Sequence, residues 1–470
     1  MNNLNENIFR EYDIRGIVGE DLDPLTVSTI SHAIAAYFVQ NDAKEIVVGY
    51  DARESSPRFQ EIIISALKSA GCDVLDIGRV PTPILYFELF IREADGAVMI
   101  TGSHNPSNHN GFKISLGKNS LHGKKIQEIK RLALSGFRMS RGPMMLSADD
   151  YFDTKKFTPK VRKINSFNDY LNQLWQRIEM GDRRLKVVVD AGNGMGGVTA
   201  VPLYERLGVE VIELFCEPDS SFPVHEPDPS QEENLQDLIE KVLETRADFG
   251  IAFDGDADRI TIIDDNGRII WGDELMILLA HEVLRENRGA TIIAEVKCTQ
   301  VLFDEIEKAG GKAVMSKAGH SIIKAKMRET GAILAGEMSG HIFFADKFYG
   351  FDDAVYAGAR ILEILSKTDK KLSEIFAAFP QTVSTPELRV KCAEEKKAFV
   401  LEKIIAEFSV TNEVITIDGA RIVFENGWGL VRPSNTQALL ILRFEADTPE
   451  HLREIQNTIE TRLQSYLEIA

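Results

Sequence analysis

Four cysteines in 470 residues leave little for cysteine chemistry. Cys72, Cys216, Cys298 and Cys392 are widely spaced, and no two form a CxxC pair. That excludes a cysteine zinc site and fits a reducing compartment. Apolar runs long enough to span a bilayer are missing, so no membrane partner is expected. The first residues, Met1 to Asn7, have neither the basic start nor the apolar core of a signal peptide, and a cytoplasmic protein is expected. No low-complexity segment is present. Basic residues are outnumbered: 54 Lys and Arg against 72 Asp and Glu give a formal net charge of −18. This opposes general nucleic-acid binding. It leaves room for a small anionic substrate, because a local basic pocket can override the global field.

What the chain does have is length and a repeated order. It is too long for one ordinary core, so three or four domains are expected. Ile46–Asp51 reads as a strand entering a polar loop. From Pro57 to Ala70 the residues Phe59, Ile62, Ile63, Ala66, Leu67 and Ala70 share one helical face. Gly71 stops that helix, Val74–Ile77 is the next strand, and a helix over Ile84–Arg92 leads to the strand Gly96–Ile100. The order recurs from Lys186: a strand to Asp190, a helix through Val201–Leu207 stopped by Gly208, the strand Val211–Leu214, a helix Leu235–Thr245 and the strand Phe249–Phe253. It recurs again from Thr291, with a helix Leu302–Ala309 stopped by Gly310, a strand at Ala313–Met315, a helix Ile322–Glu329 and a strand Ala332–Ala335. Three related α/β domains with mixed sheets and helices on both faces follow. Phe157–Arg184, with a helix at Tyr170–Met180, reads as a linker, and Ile361–Ala378 is helical up to Pro380. The last region differs, with strands at Leu388–Val390, Val414–Ile417, Ile422–Phe424 and Ala438–Phe444 and a helix Glu450–Leu467. The expected architecture is α/β domains over 1–160, 161–266 and 267–379, plus an α+β domain over 380–470, around a central cleft.

Four loops carry candidate chemistry. Thr101-Gly102-Ser103-His104-Asn105-Pro106 leaves a buried strand abruptly, and open α/β sheets keep ligand sites at such strand ends. A serine there can carry a covalent group; alone, the hexapeptide is equally a polar turn. Lys113, ten residues on, can act as acid or base or steady a phosphoryl group, although a solvated surface lysine is the ordinary alternative. Asp254-Gly255-Asp256-Ala257-Asp258-Arg259 sets three carboxylates at alternating positions, able to converge on one hard cation such as Mg²⁺. An EF-hand needs glycine at the sixth position, where Arg259 stands, so that reading fails. In Gly336-Glu337-Met338-Ser339-Gly340-His341, an extended segment would point Glu337 and Ser339 the same way, suiting adjacent sugar hydroxyls. Arg432-Pro433-Ser434-Asn435-Thr436 offers a planar fork and several short donors, a fit for a dianionic phosphate or simply a turn.

In order and approximate spacing these four loops resemble the α-D-phosphohexomutases, most closely the bacterial phosphomannomutase/phosphoglucomutase branch. The likeness extends through Phe9–Gly16, Val80-Pro81-Thr82-Pro83, Asn110–Ile114, Asp190–Gly194, Val296–Thr299, Gly319-His320-Ser321 and Gly427–Val431, and so covers essentially the whole chain. The resemblance implies a phosphoserine at Ser103. It implies Mg²⁺ held by Asp254, Asp256 and Asp258 with an oxygen on Ser103. Glu337 and Ser339 match residues that hold sugar hydroxyls, and Arg432, Ser434, Asn435 and Thr436 match the site of the non-reacting phosphate. Arg15, Lys113, Arg259 and His341 match catalytic cleft residues; Lys297 and His320 match substrate-facing ones. The implied reaction interconverts hexose 1-phosphate and hexose 6-phosphate through a hexose 1,6-bisphosphate, in a monomer. Lys113 and His341 compete for the acid and base roles. Met338 and the form of Arg432–Thr436 fit the mannose/glucose branch better than phosphoglucosamine mutases. A serine-nucleophile, metal-dependent sugar phosphatase and a non-catalytic sugar-phosphate sensor are the rival classes. One departure is Ala257, where the family favours glycine; a methyl group there leads to the expectation that φ is negative.

Overall fold

The three glycines predicted to stop helices do so in the left-handed region. Gly71, Gly208 and Gly310 have φ of 92°, 85° and 81°. Glycine adopts this conformation at no steric cost, so each reverses the chain out of its helix. The preceding helices run Ser56–Ser69, Gly197–Arg206 and Gln300–Lys308. The computed structural model describes residues 4–135, 159–434 and 438–469. Two residues of the expected linker, 157–158, and the candidate site residues Asn435 and Thr436 lie outside the described residues.

The chain forms two compact units, Met1–Ile270 with Ser339–Leu372, and Trp271–Met338 with Ser373–Ala470. In the first unit, β1 (Ile14–Ile17), β2 (Glu45–Tyr50), β3 (Asp73–Arg79), β4 (Gly96–Ile100), β5 (His109–Leu116), β6 (Asn119–Ser120) and β7 (Val161–Lys163) make one sheet in the order β1-β5-β4-β2-β3-β7, with β6 on β5. A second sheet contains β8 (Lys186–Asp190), β9 (Glu210–Leu214), β10 (Phe249–Phe253), β11 (Ile260–Asp264) and β12 (Ile269–Ile270), in the order β12-β11-β10-β8-β9. The second unit holds β13 (Thr291–Glu295), β14 (Lys312–Ser316) and β15 (Leu334–Gly336), with β13 between and parallel to the other two. β16 (Ile342–Phe344) returns to the first unit.

The repeat therefore has one topology. The first strand of each set, β2, β8 or β13, lies between the second and third and parallel to both. In the first two sheets the third strand then meets an antiparallel fourth, β4 against β5 and β10 against β11. β4 and β10 are buried at every residue, as expected of central strands covered on both faces. Each third strand delivers one of the chemistry-bearing loops at its carboxyl end.

The C-terminal sheet is antiparallel: β17 (Val383–Ser384), β18 (Leu388–Lys391), β19 (Val414–Ile415), β20 (Ala420–Phe424), β21 (Gly427–Pro433) and β22 (Leu439–Ala446), in the order β17-β22-β21-β20-β19 with β18 also on β22. Two helices, Glu394–Phe408 and Pro449–Ile469, bury Val400, Ile404, Ile455 and Ile459 against Leu440, Leu442 and Phe444. The result is a multidomain α/β protein with an α+β final sheet.

Several elements depart from the sequence reading. The linker helix is Phe167–Trp175, not Tyr170–Met180. The single helix expected over Ile361–Ala378 is two, Ala354–Ser366 and Leu372–Ala377. The helix expected from Val201 starts at Gly197 and keeps Pro202 inside it. Arg432 and Pro433 end a strand, β21, paired to Ile441 and Leu440, so the arginine is presented from a sheet and not from a turn.

Candidate active site

The first unit assembles a serine, three aspartates and several cations. Beyond β4 the chain turns at Ser103, whose φ is 49°. The Ser103 N–H donates to Thr101 Oγ1 at 2.8 Å, and its hydroxyl donates to Asp254 Oδ2 at 2.8 Å. Close approach of the two loops depends on Gly255: a Cβ there would lie 2.5 Å from the Ser103 carbonyl oxygen. His104 Nδ1 is 3.2 Å from Ser103 Oγ. Burial, then the charges of Arg259, Arg15 and Lys113, push that imidazole well below its usual pKa, so it stands neutral beside the serine.

Asp254, Asp256 and Asp258 are fully buried, and each offers an oxygen within 4.8 Å of the others. Asp254 Oδ1 accepts the N–H groups of Asp258 and Arg259 at 3.0 and 3.1 Å, which curls the loop around it. Burial, then Asp258 and Asp256, hold Asp254 well above the carboxylate range. Lys113 is no surface lysine. Its Nζ lies 2.6 Å from Asp256 Oδ2 and also bonds Asp258 Oδ2. Burial alone would lower this ammonium, but Asp256 and Asp258 keep it well above its usual range. Thr82 opens the helix Thr82–Ile91; its hydroxyl donates to Asp256 Oδ2 at 2.5 Å and its N–H to the Asp256 carbonyl at 2.9 Å. Asp256 Oδ1 is buried without a hydrogen-bond partner among the described residues. An orphaned oxygen among three crowded carboxylates is what a hard cation would satisfy, so the donor set fits a metal.

Ala257 corrects the sequence reading: its φ is 60°, in the left-handed region where alanine is strained. The loop needs that conformation to bring Asp256 and Asp258 back over Asp254, and the methyl group is tolerated at a cost.

His341 and Arg259 join this centre. They pair across an isolated antiparallel bridge. His341 Nε2 lies 3.3 Å from Arg259 Nε and 3.2 Å from Asp258 Oδ1. It can accept from the guanidinium or, protonated, donate to the carboxylate, so one nitrogen faces two opposite demands. Ser339 Oγ is 3.4 Å from His341 Nδ1. Arg15, on β1, donates to Asp13 Oδ2 and to Asn105 Oδ1, each at 2.5 Å, and so stands beside the serine loop.

The second unit gathers the remaining candidates. Lys297 Nζ lies 2.7 Å from Glu387 Oε1 and 3.4 Å from Glu295 Oε1. The charge of Lys297 pulls Glu387 down to about 2, while burial pushes Glu295 up to about 7. Both carboxylates face the Lys297 ammonium, Glu387 at the shorter distance. His320 begins the helix His320–Thr330, just after Gly319 at φ 125°, and the Gly319 N–H donates to Glu337 Oε1 at 2.6 Å. The extended segment expected for Glu337–Ser339 is not formed: Met338 and Ser339 make a turn, and Ser339 belongs to the first unit. Arg432 Nη2 pairs with Asp418 Oδ2 at 3.0 Å, and the same carboxylate oxygen accepts the Ala318 N–H at 3.2 Å. The Ser434 carbonyl accepts from Lys397 Nζ at 2.8 Å.

Sequence reasoning gave no role to Thr82, His104, Glu387 or Asp418. Thr82 and His104 lie inside motifs already singled out, so position was the available signal. Glu387 and Asp418 carried none, because only tertiary pairing distinguishes them from other acidic residues.

Models of the phosphoglucomutase/phosphomannomutase domains match the chain in series: α/β/α domain I over residues 6–136, domain II over 168–267, domain III over 271–383 and the C-terminal domain over 387–462. A phosphomannomutase/phosphoglucomutase of Pseudomonas putida is 45% identical over 463 residues, covering 98% of this chain and 96% of the relative. A phosphoglucomutase of Neisseria meningitidis is 43% identical over 468 residues, covering 99% of this chain and 98% of the relative. The crystal structure of a phosphoglucomutase/phosphomannomutase family protein from Burkholderia thailandensis superposes with a TM-score of 0.90 at 39% identity, covering 98% of each chain. Among the described residues no helix is long and apolar enough to cross a membrane.

Proposed function

Since this chain belongs to the phosphoglucomutase/phosphomannomutase family of α-D-phosphohexomutases, we propose that it interconverts the 1-phosphate and 6-phosphate of mannose and glucose through phospho-Ser103. The observation that carries this reading is the 2.8 Å bond from Ser103 Oγ to Asp254, inside a buried group of three carboxylates. The family makes the enzyme an isomerase acting by phosphoryl transfer on a sugar phosphate.

In the forward step the bond from Ser103 Oγ to phosphorus breaks and one from a substrate hydroxyl oxygen forms. The proton of that hydroxyl passes to His341, and Lys113, an ammonium among the aspartates, supplies one to the departing serine. Arg15 and Arg259 bring positive charge to the transferring group. Asp254, Asp256 and Asp258 would hold Mg²⁺, whose contribution is to offset charge on the phosphoryl oxygens. Glu337, Lys297 and His320 of the second unit bind the sugar, and Ser339 takes a sugar hydroxyl. Arg432, Ser434, Asn435 and Thr436 take the phosphate that is not reacting. The hexose 1,6-bisphosphate so formed turns end for end, and its other phosphate returns to Ser103. Four domains, expected at 1–160, 161–266, 267–379 and 380–470, remain the reading, although β7 (Val161–Lys163) pairs in the first sheet and β12 (Ile269–Ile270) in the second, which moves the first two boundaries to later residues. The charge of −18 opposes a nucleic-acid partner and four scattered cysteines fit a reducing, cytoplasmic compartment, while a monomer is what the family resemblance implies.

A ³¹P NMR assay with mannose 1-phosphate and glucose 1-phosphate, each with and without a hexose 1,6-bisphosphate, tests the reading. The 6-phosphate should accumulate and Ser103→Ala should be inactive. Inorganic phosphate released at the rate of turnover would make the protein a phosphatase instead.

A further inference from the structure

One buried cation has no place in the reaction just described. Arg53 follows β2, and its side chain is 1% exposed. Its planar guanidinium uses every donor. Nε bonds Asp51 Oδ2 at 3.2 Å. Nη1 donates to the carbonyl oxygens of Pro106 and His109, at 2.5 and 3.0 Å. Nη2 donates to those of Ser103 and Asn105, at 2.7 and 2.5 Å. Four carbonyls from one seven-residue stretch thus converge on a single group. Phe222 closes the far side, its ring centroid 5.1 Å from the guanidinium carbon.

The fork is itself anchored. Asp51 Oδ1 accepts from Ser56 Oγ at 2.6 Å and from the Arg53 N–H at 3.0 Å. Asp51 Oδ2 accepts the Gly102 N–H at 3.2 Å, and the Asp51 N–H donates to Ile100 at the end of β4 at 3.0 Å. Gly102 has a different reason to be glycine than its turn: a Cβ there would lie 2.5 Å from Arg53 Nε. Between β4 and β5 the serine loop has turn bonds, from the Asn105 N–H to the Gly102 carbonyl and from the His109 N–H to the Pro106 carbonyl, each at 3.0 Å, and the fork adds the donors that direct the Ser103 and Asn105 carbonyls. A lysine offers three donors from one point and cannot span four carbonyls; the planar fork of arginine can.

We infer that Arg53 is the positioning residue of the phosphoserine loop, holding Ser103 at its left-handed φ and so fixing where the phosphoryl group is offered. It acts only through the loop backbone; no substrate or metal contact is involved. Misplacing a reacting atom by about 1 Å can cost on the order of 100-fold in rate. The contribution should fall on transfer and leave substrate affinity alone, because the proposed substrate-phosphate site belongs to the other unit. The inference rests on Ser103 being the phosphorylated residue.

The test compares Arg53→Lys, Asp51→Asn and Ser103→Ala in the full chain loaded with Mg²⁺, using glucose 1-phosphate and glucose 1,6-bisphosphate. Circular dichroism and melting report folding, steady-state kinetics separate kcat from KM, and ³¹P NMR reads the phosphoserine. Arg53→Lys should fold, lose about 100-fold in kcat, keep KM within about 3-fold and shift or broaden the phosphoserine resonance. Asp51→Asn loosens the anchor, keeps the fork and should lose about 10-fold in kcat; it decides the question if Arg53→Lys does not fold. A folded Arg53→Lys with wild-type kcat and an unmoved resonance overturns the inference, as does a loss confined to KM. Activity retained by Ser103→Ala would instead remove the phosphoserine reading beneath it.

Discussion

The two units treat charge in opposite ways. In the first, three buried carboxylates face one lysine, and an oxygen of Asp256 has no hydrogen-bond partner among the described residues. In the second, each cation proposed to meet substrate already has an anion: Glu387 for Lys297 and Asp418 for Arg432. The carboxylate group of the first unit has a donor set that fits a hard cation. The candidate cations of the second unit are neutralised in advance, and under the proposed function a phosphate would compete with those carboxylates. One half is built to hold, the other to exchange.

Removing the metal should break this comparison most severely. Chelation should lower kcat by at least about 1,000-fold, and Mg²⁺ should restore it. The same Mg²⁺ should raise Tm in wild type but not in Asp254→Asn, since binding only the folded state stabilises it. A Tm indifferent to Mg²⁺ in both proteins would mean that the carboxylate group does not need a cation.

Glu387→Gln addresses the other half. The Glu387 carboxyl is held down at about 2 against an ordinary 4.5, so its ion pair stabilises the fold fully above pH 4.5 and loses that contribution as the pH falls towards 2. The variant should be less stable than wild type at pH 7 by about 2 kcal/mol, with the difference vanishing near pH 2. Urea titrations across that range measure it, and a constant offset would assign the effect to packing.

Asp418→Asn should release Arg432 for phosphate and lower KM about 3-fold with kcat unchanged. Steady-state kinetics decide: a higher KM would make Asp418 an orienting group and not a competitor. The smallest effect belongs to Ala257→Gly. Relief of the strain at φ 60° should stabilise the protein by about 0.5–1 kcal/mol in chemical denaturation, with activity kept.

The repeat was legible because apolar runs and helix-stopping glycines are local signals. Gly71, Gly208 and Gly310 mark the same point of the same motif, and all three have the positive φ that the reading required. The candidate site residues were legible as loops at strand ends, and Asp254, Asp256 and Asp258 do converge. Their supporting partners were not. Thr82 reaches Asp256 across 174 residues, and Lys113 reaches it across 143. Periodicity cannot encode such pairings. The helices Pro24–Gln40, Gly272–Glu286 and Glu394–Phe408 were also missed. Ala257 misled for a physical reason: residue type states a preference for φ, and a loop tied by two hydrogen bonds to Asp254 overrides it.

Gly255 leaves the backbone of the aspartate loop resting on the backbone of the serine loop, with no side chain between them. A joint of that kind registers length and ignores most identities. Neighbouring residues in either loop can drift in sequence while the joint survives, but one inserted or deleted residue on either side would carry the serine past its aspartate. Descendants of this chain should therefore vary in the letters of these two loops long before they vary in their number.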